Sequence, residues 1–108
     1  MARLALILLM LALPLAAAAQ PVAGNPAAGR RTAGALCVSC HQIDETGRGG
    51  PPSFVDIALL PSTTALSLKV FLRSNHQDMP NLIIPANETD DLIAFILSLK
   101  QPLAPGRR

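Results

Sequence analysis

The chain has no tryptophan and no tyrosine, and only three phenylalanines among its 108 residues. So few large apolar side chains leave a thin core, and a domain this small then needs a reinforcing element. Charge is sparse as well, at 15% of residues with a formal balance of +2. That balance excludes the strong basic footprint of a nucleic-acid binder. The low charged fraction also excludes a disordered chain. Alternating strand patterns and internal repeats are both missing, and the length points to one domain. Cysteine occurs twice, within one short segment.

The hydrophobicity is unevenly placed. Seventeen of the first nineteen residues are apolar. Arg3 supplies a positive start, Leu4 to Leu13 is an unbroken apolar run, Pro14 breaks it, and Ala17-Ala18-Ala19 offers an A-x-A cleavage site before Gln20. Residues 1–19 therefore read as a cleaved export signal. A membrane span needs about 20 apolar residues, and this run is shorter and contains a proline; an uncleaved anchor is the alternative. No later segment is long or apolar enough to span. The remaining chain is expected to be soluble and periplasmic, with residues 20–24 a flexible leader, 25–101 the domain and 102–108 a flexible tail. Without Arg3 its formal charge is +1, from eight Lys and Arg against seven Asp and Glu.

The rest of the chain reads as all-helical. Asn25 can cap a helix from about Pro26 to Val38, with proline at the first helical position. Gly29 and Gly34 weaken that helix and suggest close approach by a neighbouring backbone. Gln42 to Pro52 is turn chemistry throughout. Ser53 to Ile57 forms a short capped turn. Ser62 is expected to cap a helix to about Arg73 that buries Leu66, Val70 and Phe71. Asn75 to Pro85 is a second loop. Leu92, Ile93, Phe95, Ile96 and Leu99 have helical spacing, with acidic residues before them and Lys100 after. Pro85 is one possible opening for that helix.

The reinforcing element is Cys37-Val38-Ser39-Cys40-His41. C-x-x-C-H is the attachment signature of a c-type haem. Two thiols three residues apart at a helix end can form thioethers with the two vinyl groups of one porphyrin, and the adjacent imidazole then meets the iron. A dithiol oxidoreductase also uses C-x-x-C, but near a βαβ pattern that this chain lacks. A disulfide across four residues is awkward and closes a trivially short loop. Zinc could formally take Cys37, Cys40, His41 and His76, although adjacent Cys and His depart from the usual zinc spacings.

A six-coordinate iron needs a second axial ligand. Met79 is the only methionine outside the first nineteen residues, 38 residues beyond His41. Pro80 restricts it to extended conformations. A lone methionine is ordinarily a core filler, and the motif upstream makes ligation the better reading. His76 is the competitor, read as a loop histidine near a haem propionate.

Cys37 to His41, Gly50-Pro51-Pro52-Ser53-Phe54, Met79-Pro80 and the closing Leu92 to Lys100 segment together resemble a class I, monohaem c-type cytochrome of the small exported bacterial type. The resemblance covers about residues 25 to 100. It implies a cytochrome c-like fold of three to five helices around one covalent haem, with the first and last helices crossing near a right angle. Gly29 matches the family glycine at that crossing, and Phe95 the aromatic against it. Ala33 departs from the pattern, standing where the family usually has an aromatic. The resemblance also implies that the Pro51 carbonyl accepts the Nδ1–H of His41, with Pro52 the alternative. Arg48, Arg73 and Asn75 are candidate propionate partners, since the usual Trp or Tyr is missing.

With Cys37 and Cys40 as thioether residues and His41 and Met79 as axial ligands, no coordination position is left for a substrate. The expected function is electron transfer between redox protein partners, by a monomer or a small subunit, without enzymatic activity. The alternatives are the haem subunit of an exported dehydrogenase and a ligand-binding sensor. Arg30, Arg31, Lys69 and Arg73 are candidates for a docking face.

Overall fold

In the computed structural model, which describes residues 22–100 other than 48, 75 and 77, helix starts follow side-chain chemistry closely. The Asn25 side-chain oxygen accepts from the backbone N–H groups of Ala27 and Ala28 at 2.9 and 3.2 Å, opening α1 (Pro26–Leu36). Ser53 accepts from the Asp56 N–H at 3.0 Å and opens α2 (Phe54–Leu59). Two further helices follow, α3 (Ala65–Phe71) and α4 (Ala86–Ser98). Among the described residues there is no strand. The export signal expected at 1–19 and the tail expected at 102–108 lie outside the described residues.

The start of α3 corrects one expectation. Its cap is Thr64, not Ser62. The reason lies three residues further on. The Thr64 hydroxyl accepts from the Ser67 N–H at 3.1 Å, and the Ser67 hydroxyl accepts from the Thr64 N–H at 2.8 Å. Ser62 would have Ala65 at the reciprocal position, which has nothing to return. The buried face of α3 differs as well. Leu68 is buried at 6% exposure, whereas Leu66, Val70 and Phe71 are 73%, 59% and 59% exposed. A seven-residue helix with apolar side chains on nearly every face gives periodicity no way to choose among them.

The core lies between the two longer helices, α1 packing most extensively on α4. Helix α4 buries Thr89, Leu92, Ile93, Ala94, Phe95 and Ile96, while α1 contributes only Gly29 and Ala33. Pro85 precedes α4 without a side-chain cap; the Thr89 hydroxyl, one turn in, donates to the Pro85 carbonyl at 3.0 Å. The Asn25 N–H donates to the Asp91 carboxylate at 2.6 Å. At the other end the Lys100 ammonium donates to the Thr63 carbonyl, tying α4 to the α2–α3 turn.

Gly29 makes the α1–α4 contact possible. A Cβ there would lie 2.0 Å from the Asp91 carbonyl oxygen, which is backbone and cannot step aside. Gly34, also expected at a close approach, has nothing within 4 Å. Gly24, the last residue of the expected leader, is packed too: its φ is +106° and a Cβ would lie 2.3 Å from the Asp90 carbonyl oxygen. Gly29→Ala is expected to cost about 2–3 kcal/mol by forcing the helices apart. Gly34→Ala should instead gain roughly 0.5–1 kcal/mol, the intrinsic helix preference of alanine. Thermal melts of the two variants check the pair, and equal losses would contradict the close-approach account.

Candidate haem-attachment site

Helix α1 ends in the motif. Cys37 is its C-cap, donating its N–H to the Ala33 carbonyl at 2.9 Å. The Cys37 carbonyl then accepts from Cys40 at 3.1 Å and from His41 at 2.9 Å, so the five residues wrap one tight turn. Both cysteines are free thiols, Cys37 buried and Cys40 exposed. Burial pushes the Cys37 thiol up from its ordinary value. No group of three or more His, Cys, Asp or Glu side chains converges among the described residues, so His76 does not complete a zinc set.

His41 is half-buried beside Phe54, with ring centroids 5.5 Å apart, and Phe54 meets Phe95 at 6.3 Å. Its Nδ1 lies 2.7 Å from the Pro52 carbonyl oxygen. This corrects the expected acceptor, Pro51. The register explains the choice. Phe54 donates its N–H to the Gln42 carbonyl at 2.9 Å, which sets the strand of loop before Phe54 beside the motif's end and brings residue 52 to residue 41. Consecutive prolines could not disclose that register. A histidine that donates Nδ1–H to a carbonyl keeps Nε2 as its lone-pair nitrogen, the arrangement found at metal-bound histidines.

The second loop brings Met79 to a built turn. Asp78 adopts φ +62°, a left-handed conformation that Asp tolerates better than most residues. The Met79 N–H donates to the His76 carbonyl at 3.1 Å, and Met79 is half-buried. The His76 ring meets Phe71 edge-on at 5.7 Å. Arg48 and Asn75 lie outside the described residues, and Arg73 is exposed. Of the docking candidates, Arg30 pairs with Asp44 and lies 5.9 Å from the Phe95 ring centre, while Lys69 pairs with Asp90 at 3.2 Å. Those two charges are already engaged.

Asp56 is the residue that sequence reasoning passed over. Its Oδ2 accepts from the Gly47 N–H and from the Ser53 hydroxyl, each at 2.8 Å. The S-x-x-D spacing of Ser53 and Asp56 was the available signal. The Gly47 N–H, and then the Ser53 hydroxyl, hold the carboxyl below the ordinary Asp range. A carboxyl lowered on folding contributes stability above its unfolded value of about 3.9, and that contribution is lost as pH falls through the folded value. Asp56→Asn should therefore be less stable at neutral pH and show a shallower fall in Tm below roughly pH 4. An unchanged acid slope in the variant would count against this linkage.

The residues present fit a haem. Two free thiols and an imidazole with Nε2 available form the donor set, and Leu36 and Val38, on either side of Cys37, remain exposed as apolar surface beside it. A helical domain with this donor set is one built for covalent haem attachment. The chain belongs to the cytochrome c family: residues 26–100 match the family described as Cytochrome c. The all-helical fold agrees, and membership implies covalently bound haem c, electron transfer and redox protein partners. No curated protein and no solved structure matched the chain. No helix among the described residues is long and apolar enough to cross a membrane.

Proposed function

We propose that the chain is a periplasmic single-electron carrier holding one haem, with Cys37 and Cys40 as thioether residues and His41 and Met79 as axial ligands. The carrying observation is the His41 imidazole, fixed through Nδ1 to the Pro52 carbonyl at 2.7 Å with its Nε2 available beside two free thiols. When bound, the haem iron supplies the Fe(III)/Fe(II) couple. The protein's own part is to hold, orient and shield. Donation of Nδ1–H to Pro52 strengthens His41 as a ligand, and the Met79 thioether favours the reduced state. Phe54 packs beside the His41 ring, and Phe95 packs in turn against Phe54.

With both axial positions taken by protein, no open position remains for substrate, so the protein is a carrier rather than an enzyme. Removal of residues 1–19 after export leaves it free in the periplasm as a monomer or a small subunit of a redox complex. The test is expression with haem-attachment machinery, acid-acetone extraction and a potentiometric titration. The expected results are haem that resists extraction, one haem per chain and a single one-electron wave. Extractable haem, or rapid carbon monoxide binding by the reduced wild-type protein, would overturn the proposal.

A further inference from the structure

The carboxylate of Asp56 does something that capping alone does not require. Ser53 caps α2 with its own hydroxyl, which accepts from the Asp56 N–H at 3.0 Å. In a capping box the acid at this position reaches back to the cap's backbone N–H. Here Oδ2 instead takes the Gly47 N–H and the Ser53 hydroxyl. It thereby gathers two points of the 42–53 loop, six residues apart, onto the first turn of α2. Ser53 is fully buried, and a Cβ at Gly47 would lie only 3.0 Å from the same carboxylate oxygen, so the junction is close-packed.

The carbonyl that receives His41 belongs to the peptide bond joining Pro52 to Ser53. Fixing Ser53 therefore fixes the direction of that carbonyl. We propose that Asp56 is a positioning residue for His41: through Ser53 it orients the Pro52 carbonyl and so holds the imidazole in one orientation and one tautomer. The inference rests on the reading that His41 ligates a haem iron. Hydrogen bonds to an ionised acceptor are the stronger kind, and partners one step removed from a metal's ligand set that ligand's orientation and basicity.

The test follows the His41 Nδ1–H itself in the haem-loaded full chain, by NMR hydrogen exchange. The ferric wild type should first show His41 ring resonances shifted by the iron. Asp56→Ala should then speed exchange of that proton about tenfold and raise the reduction potential, because a less firmly held imidazole donates less to the ferric iron. Asp56→Asn retains an acceptor oxygen and should stay within about threefold of wild type. Thr64→Ala, which breaks the α3 cap, should lower Tm while leaving exchange within about twofold. If Asp56→Ala does not load haem, Ser53→Ala cuts the same link and should give the same acceleration. Unshifted His41 resonances would overturn the ligand assignment itself. Shifted resonances with unaltered exchange in Asp56→Ala, or equal acceleration in Thr64→Ala, would overturn only the role of Asp56.

Discussion

A chain carrying Cys37→Ala and Cys40→Ala, made without haem attachment, should show no cooperative thermal transition. The core explains why. Among the described residues, its ten buried hydrophobic residues include only two aromatics, Phe54 and Phe95, and three alanines, Ala33, Ala58 and Ala94. Helices α2 and α3 have six and seven residues, well below the length at which a helix persists without tertiary support. Each buries little: Phe54 and Ala58 from α2, Leu68 from α3. Meanwhile Leu59, Leu60, Leu66, Val70, Phe71 and Ile83 are exposed. A covalently attached porphyrin would bring its own apolar faces against the domain, and burial of even part of that surface at about 25 cal/mol per Å² is comparable with the whole stability of a small domain. Circular dichroism of the double variant should show reduced helicity and a broad, sloping melt, with binding of a hydrophobic dye. A sharp melt at the helicity of the haem-loaded protein would establish a self-sufficient core.

Legibility in the sequence followed the range of the interactions. Asn25-Pro26 and Ser53 announced helix starts because capping is decided within three or four residues. The choice of Thr64 over Ser62 was equally local, but it required weighing which hydroxyl finds a partner at Ser67. Gly29 was legible as the crossing glycine through the family resemblance, and its cost inside a helix agreed with something lying against it. Gly34 shows the limit of that argument, since the same residue type in the same helix faces open space. Burial on α3 was not legible. Whether Leu68 or Leu66 turns inward depends on where α4 lies, and a short helix apolar on all sides carries no phase. The His41 acceptor depended on loop register, which the Phe54 to Gln42 hydrogen bond sets. Donor types and their spacing were readable; the direction of a particular carbonyl was not.

Replacing Met79 should change the protein's redox character strongly. Met79→Ala is expected to abolish the weak red-edge absorption of the ferric protein that sulfur-to-iron charge transfer produces. It should also lower the reduction potential on the order of 0.2 V, a quarter of the roughly 0.8 V range that axial ligands span. The reduced variant should bind carbon monoxide rapidly. The thioether suits this role because it is neutral across the accessible pH range. Local structure points the same way. The Met79 N–H closes a turn onto the His76 carbonyl, and the left-handed Asp78 and the following Pro80 restrict the backbone on either side of the methionine. His76 is engaged differently, its ring against Phe71 and its Nδ1 3.3 Å from the Ser74 carbonyl oxygen two residues earlier. His76→Ala should therefore leave the charge-transfer band in place and the potential nearly unchanged, with any shift reflecting electrostatics rather than ligation. The opposite pattern, a silent Met79→Ala and an iron opened by His76→Ala, would establish bis-histidine ligation and a low-potential carrier.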